Sequence, residues 1–473
     1  MRQRLVNYKL LLSLIAVIFS CSISLYLEHI ISLADDNAKI KHLAIMLFVI
    51  NCIPFVILFY KKRIDFFNPL FIFAAAFFVF FPLRIVYIIW NNDYAFMDMI
   101  QANRNVMDEV LLVLIFSLLF LYAGYCSRLD AFVMKLLLRF KSIARIFKTP
   151  FQIAAHSRFI NRYSNVLVFL AILGFVVFSV KQGSFMIGRG ATRLAGENAY
   201  IYLSINLLIP GILLKFIYAQ ETGKKMFAVL ILFIAACYLF MVLGGRYRLV
   251  MLLISFCILL FHYYKIRLGR FFMIAASVGF VYLISVIGAS RGNLYLGSAV
   301  DLNFRPETIR HNFLSSTGDL NIFDTFVKVY EGIPELLNYQ YGATFASLFI
   351  QPIPRSIFPE KPVYASTMIM EHLIPEFHEK GIGFAGSILA DFMLNFGVLG
   401  IFIGMMTIGV LLKVVENFRQ YHIQGVLFYS VTLSVIPFYT RGEFVGTSVW
   451  YLIVLLPSML VFYLMSKPNV TNN

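Results

Sequence analysis

The chain is a series of long apolar runs separated by short polar segments. The runs are Tyr8–Leu27, Leu43–Tyr60, Pro69–Trp90, Val110–Tyr125, Ser164–Val180, Tyr200–Tyr218, Met226–Leu243, Leu249–Tyr263, Phe271–Ile287, Phe392–Leu412, Val426–Thr440 and Val449–Met465. A bilayer core takes roughly 20 apolar residues per helix, so the pattern predicts an all-α polytopic membrane protein of about twelve transmembrane helices. The shorter runs need flanking residues to span. No small-residue cleavage site follows Tyr8–Leu27, so it reads as a helix and not as a cleavable signal.

Lysine and arginine in the short connections orient these helices, because cytoplasmic loops retain the positive charge. Arg2, Arg4 and Lys9 put the N-terminus inside, and every second connection is then basic: Lys61–Arg63, Lys224 and Lys225, Lys265 to Arg270, Lys413 and Arg419, and Lys467 at the C-terminal end. Both termini are therefore expected in the cytoplasm. The connection after the fourth run is the most basic, and its Ala131–Phe147 stretch mixes apolar and cationic positions as an interfacial amphipathic helix would. One connection is long. Residues 288–386 form a large loop on the outer face, between helices one to nine (1–287) and helices ten to twelve (387–473) of one membrane domain. Inside it, Ile322, Phe323, Phe326, Val329 and Tyr330 predict a helix within Asn321–Tyr339. Pro352, Pro354, Pro359 and Pro362 impose a turning path, and Thr367–Lys380 is a second short helical candidate.

Composition agrees with lipid as the solvent: 60% of residues are hydrophobic and 14% charged. The formal charge of +16 lies in the cytoplasmic connections, which points to a membrane surface and not to nucleic acid. The cysteines fall in or beside apolar runs, so no disulfide framework and no metal site is expected. No internal repeat marks the two halves of a transporter.

The chemistry is expected on the outer face. Arg189 and Arg193 follow the fifth helix, Arg246 and Arg248 open the eighth, Arg291 follows the ninth, and Arg441 lies between the last two. Outward arginines run against the positive-inside bias. Their planar, permanently charged forks suit pyrophosphate oxygens; the alternative is that each pairs with a lipid headgroup or with an acid such as Glu443. Arg84 lies inside the third run, either snorkelling outward or facing a cavity. Asp319, Asp324, His311, His372, His378 and Glu443 are candidate acid–base groups. Asp35 and Asp36 resemble a metal-binding pair, although plain solvation suits a short loop better.

Several segments resemble one family. Gly244-Gly245-Arg246-Tyr247-Arg248 is similar to the Gly-Gly-x-Arg region of Wzy-type polysaccharide polymerases, displaced by one residue, so that Arg246 and Arg248 compete for one role. Ile353 to Pro362 is similar to the proline-rich stretch of enterobacterial common antigen polymerases and related O-antigen polymerases. Thr440-Arg441-Gly442-Glu443 looks like their Ala-Arg-Glu-Gly element with two residues exchanged, and Gly386-Ser387, Asn395-Phe396-Gly397 and Gly183 to Arg189 are further likenesses.

The resemblance implies a GT-C-like, metal-independent, inverting glycosyltransferase of the bacterial inner membrane, with no cofactor. Undecaprenyl-pyrophosphate-linked oligosaccharides would be donor and acceptor, in lipopolysaccharide or related surface glycan synthesis. Membrane lipids, a chain-length regulator and a flippase would be partners. Arg189, Arg193, Arg246, Arg248, Arg291 and Arg441 would form one pyrophosphate clamp, and Asp319 or Glu443 would act as base or acceptor orienter. An O-antigen ligase is the nearest rival. A flippase would concentrate charge within the helix bundle and lack a large loop.

Overall fold

The computed structural model describes residues 36–60, 65–91, 95–96, 100–101, 106–151, 155–182, 199–243, 246–265, 322–354, 357–379, 383 and 385–466. Two expected helices, Tyr8–Leu27 and Phe271–Ile287, lie outside them. Among the described residues, 9 helices are long and apolar enough to cross a membrane, and the shorter Met226–Met241 accompanies them. Each coincides with an expected run. A two-stranded hairpin, Ala95–Phe96 with Ile100–Gln101, is the sheet structure among the described residues.

The chain divides into two compact units. Residues 1–130, 269–413 and 437–447 form one, and residues 131–268, 414–436 and 448–473 form the other.

In the first unit, the run at Pro69–Trp90 is two helices, Pro69–Phe80 and Pro82–Asn91. Asn68 caps the first by accepting from the Leu70 and Phe71 amides, and Pro69 takes the position where no amide hydrogen is needed. Pro82 distorts the join at Phe81, but Ile85 N still donates to Phe81 O, so the two remain one span. Met107–Cys126 meets Ile388–Phe418 at bare glycine. A Cβ on Gly124 would lie 2.0 Å from Met406 O, and one on Gly409 would lie 2.1 Å from Leu121 O. Two backbones therefore touch, as small residues permit where lipid supplies no hydrophobic drive for helix association.

The Ile388–Phe418 segment does not run straight. Gly397 has φ 65° and ψ −158°, a conformation essentially reserved for glycine. In a straight helix, residues 392 and 404 would be about 18 Å apart. Instead, a Cβ on Gly404 would sit 2.4 Å from the Phe392 ring, and one on Gly400 2.8 Å from Phe392 O. Residues 388–396 thus fold back along the start of 398–418, and Gly400 and Gly404 supply the flat surface they lie on. The break leaves carbonyls without helical partners, and the large loop uses them. Gln340 N donates to Leu394 O at 2.9 Å, and Tyr341 N to Asn395 O at 3.1 Å. Buried Asn395 adds side-chain bonds to Thr344 Oγ1 (2.6 Å) and Gly342 N (2.9 Å).

The loop helix expected within Asn321–Tyr339 is Ile322–Gly332, ended by Pro334. Its apolar stripe of Ile322, Phe323, Phe326 and Val329 is buried, with Phe326 edge-on to Phe81. The Thr367–Lys380 candidate is two helices, Ala365–Leu373 and Pro375–Glu379, because Pro375 cannot continue the first.

In the second unit, Ser157–Gln182 packs on Ala199–Thr222, with Gly211 against Val168 and Gly174 against Ser204. The single amphipathic helix expected over Ala131–Phe147 is also two, Leu129–Leu137 and Lys141–Lys148. Phe132, Leu136 and Phe140 are exposed, while Phe147 is buried among Phe418, Tyr421 and Phe428. That aromatic cluster fixes the second helix, and Gln424 adds a 2.8 Å bond to Thr149 O.

Candidate functional site

In the second unit, Arg246 is the first residue of the Arg246–Tyr264 helix and Arg248 lies in its first turn. The Arg248 side chain is fully buried. Its Nε donates to Asn206 Oδ1 at 2.7 Å and its Nη2 to Tyr202 O at 3.2 Å. The guanidinium stacks 4.0 Å from the Tyr202 ring centroid and 4.9 Å from that of Tyr247. Tyr247 in turn stacks on Trp450 at 3.9 Å, which stiffens this wall of the box. Every described contact of the guanidinium is to a neutral group, and Nη1 is buried without a hydrogen bond among the described residues. A buried charge is ordinarily paired. A cation in the first turn of a helix also faces the positive end of the macrodipole. Both effects disfavour Arg248 here unless an anion joins it.

Arg84, in the first unit, has solved the same problem within the chain. Its Nε donates to Asp324 Oδ2 at 2.9 Å and its Nη2 approaches Oδ1 at 3.4 Å, with both side chains buried. Asp324, an acid–base candidate from the sequence, is thus the counter-ion of a membrane arginine. The pair joins the loop helix Ile322–Gly332 to Pro82–Asn91.

Two further carboxylates stand at helix N-termini in the first unit. Glu443 Oε2 accepts from Ser366 N (2.8 Å) in the first turn of Ala365–Leu373, and Asp391 Oδ2 accepts from Phe444 N (2.5 Å), the first residue of Phe444–Met465. Orphan amides and a helix dipole favour an anion at both places. Burial pushes the Glu443 carboxyl above its usual range, while its bonds to Ser366 oppose the shift. Asp391 is buried, and its Oδ1 has no hydrogen-bond partner among the described residues. Arg441 ends the Ile423–Arg441 helix, where a cation suits the dipole, and is partly exposed.

The proline-rich stretch is folded on itself by its own lysine: Lys361 Nζ donates to Gln351 O (2.7 Å) and Ile353 O (3.1 Å). Asp36 is the first residue of the Asp36–Tyr60 helix, and its side chain lies outside the described residues. His372 bonds back to Met368 O at 3.0 Å. Arg189, Arg193, Arg291, Asp319, His311, Asp35 and the Arg246 side chain lie outside the described residues. Three site neighbours escaped the sequence reading: Asp391, Asn206 and Tyr202. A polar group in or beside an apolar run was the available signal. Asp391 passed as a flank of Phe392–Leu412, and Asn206 was submerged in Tyr200–Tyr218.

These features define a polytopic membrane protein with a large loop built into its helices and a buried arginine whose partners among the described residues are neutral. A family model described as O-antigen polysaccharide polymerase Wzy matches residues 10–469, nearly the whole chain. The chain belongs to that family, and with it to the membrane-embedded polymerases of O-antigen synthesis, glycosyltransferase-type enzymes acting on lipid-linked repeat units. No curated protein and no solved structure matches it.

Proposed function

We propose that the protein joins undecaprenyl-pyrophosphate-linked oligosaccharide units into a surface polysaccharide at the outer face of the inner membrane. A hydroxyl of the acceptor sugar attacks the donor's anomeric carbon from the face opposite the pyrophosphate. The new carbon–oxygen bond forms as the bond to the phosphate oxygen breaks, so the configuration inverts. The proton passes to a carboxylate, and undecaprenyl pyrophosphate departs with the bonding pair.

The observation that carries this reading is Arg248, buried among neutral partners at a helix start. A leaving pyrophosphate is an anion suited to a guanidinium with no acidic partner among the described residues, and fixed donors aimed at developing charge usually contribute more to rate than any other device in such enzymes. Arg189, Arg193, Arg246, Arg291 and Arg441 are further candidate phosphate contacts. Glu443 is the proposed base, with Asp391 beside the same turn as its positioning neighbour and Asp319 as the alternative. With cationic side chains balancing the pyrophosphate, no metal is required.

The test is purified protein in liposomes with its lipid-linked repeat unit, products resolved on a gel. A ladder is expected, and it should survive EDTA. Arg248→Lys and Arg248→Met should each lower the rate roughly 100–1,000-fold, about 2.7–4 kcal/mol, because a point charge does not replace a planar fork. Wild-type ladders from both variants at matched protein levels would reduce Arg248 to a structural residue. One transfer onto a lipid A core in place of a ladder would make the protein a ligase.

A further inference from the structure

The apolar side chains of the first loop helix are buried. Those of the next stretch are not: Tyr341 is 80% exposed, Phe349 85% and Ile357 73%. An apolar patch facing water is uncommon and marks a contact surface. Its place in the fold identifies the contact. Gln340 and Tyr341 bond to the carbonyls at the Gly397 break, and the Phe345 ring lies 6.2 Å from that of Phe396 and 5.9 Å from that of Phe392. Just past the break, Leu399, Ile403, Thr407 and Leu411 are all exposed. They recur every fourth residue, one face of a helix that crosses the membrane, so this stripe is in contact with lipid. Gln340 and Tyr341 therefore meet the membrane helix at the turn just before this stripe begins.

The backbone of the stretch is also suited to lipid, where an unpaired amide is costly. Ala343, Ala346, Ile350, Gln351 and Ile353 each donate to a carbonyl within five residues. Pro352 and Pro354 have no amide hydrogen to satisfy. The carbonyls of Gln351 and Ile353 are taken by Lys361 Nζ, whose stem allows the charge to sit toward water.

We infer that residues 341–354, with Ile357, form a monotopic anchor whose Phe349 and Ile357 side chains enter the acyl region of the adjacent leaflet and whose Tyr341 sits at its boundary, with bulk phospholipid as the partner. The tyrosine is of the type enriched at the membrane–water boundary. The anchor would hold one edge of the large loop at the depth where lipid-linked sugars emerge from the bilayer.

The test uses the full-length protein in nanodiscs free of polyprenyl lipid, so that bulk phospholipid alone is read. Phe349→Trp and Ile357→Trp are compared with Glu360→Trp, an exposed position of the same loop, after subtracting the signal of the unsubstituted protein with Trp90 and Trp450. The first two should emit at short wavelength, be quenched by phospholipids brominated on their acyl chains, and resist aqueous iodide. Glu360→Trp should show the reverse. Iodide quenching at 349 and 357 without a bromolipid effect would overturn the anchor. So would short-wavelength emission that bromolipid leaves untouched, since that would put a second protein surface over the patch.

Discussion

Removing one member of the Arg84–Asp324 pair should damage the protein far more than removing both. In Asp324→Leu, Arg84 keeps its charge in a buried position with its counter-ion gone. The bonds at 2.9 and 3.4 Å and the near-zero exposure of both side chains place the pair in the class where loss of one partner costs about 3–5 kcal/mol. In Arg84→Met with Asp324→Leu neither member of the pair carries a charge to desolvate, and the Phe81–Phe326 contact still holds the loop helix to the same span. For buried pairs such double replacement is often neutral or stabilising, by about 1–4 kcal/mol. The coupling between the sites should therefore reach several kcal/mol. Lys328–Glu331 is the control on the same loop helix: about one third exposed, it should yield about 1 kcal/mol or less in Lys328→Ala. The assay is unfolding of purified variants in mixed micelles by added SDS, with trypsin cleavage reporting release of the loop helix. Two single variants each within about 1 kcal/mol of wild type would refute the argument. So would a double variant as unstable as the sum of the singles.

Glu443→Gln keeps an acceptor for Ser366 N but removes the proton acceptor, so it should insert normally, hold its loop and lose chain extension, while Glu443→Ala also loosens the loop to protease. Because burial raises this carboxyl, the wild-type rate should fall as pH drops through the raised value. The folded state binds that proton more readily than the unfolded chain, so the charged carboxyl erodes stability as pH rises above its ordinary range, and Glu443→Gln should be no less stable than wild type at neutral pH. A fully active Glu443→Gln would assign the residue to loop docking alone. Gly409→Ala drives a Cβ to 2.1 Å from Leu121 O, a backbone atom that cannot step aside, and should cost about 1–3 kcal/mol by the same SDS titration; an unchanged midpoint would mean that the two helices are not in contact.

The membrane helices were legible because each must present a long apolar run, and the loop helix because its buried positions recur at helical spacing up to Pro334. The fold-back at Gly397 was not legible. Both arms of the Ile388–Phe418 segment are equally apolar, so hydropathy runs straight through the break, and Asn395-Phe396-Gly397 entered only as a likeness. The Arg84–Asp324 pair was hidden for another reason: 240 positions separate its members, and no local pattern reports such a meeting. Sequence made Arg246 and Arg248 equivalent, because spacing along a helix start does not reveal what surrounds each fork. Asn206 and Tyr202, which define the surroundings of Arg248, lie on a different helix.

The loop is plugged into the Gly397 break through main-chain atoms. Leu394 and Asn395 offer carbonyls, Gln340 and Tyr341 offer amides, and neither side of those bonds depends on which side chains the loop residues carry. Only the glycine and the asparagine are held to type. A socket of this kind accepts loops of different sequence at the same height and angle, so the loop is free to diverge while its seat on the membrane helices stays fixed.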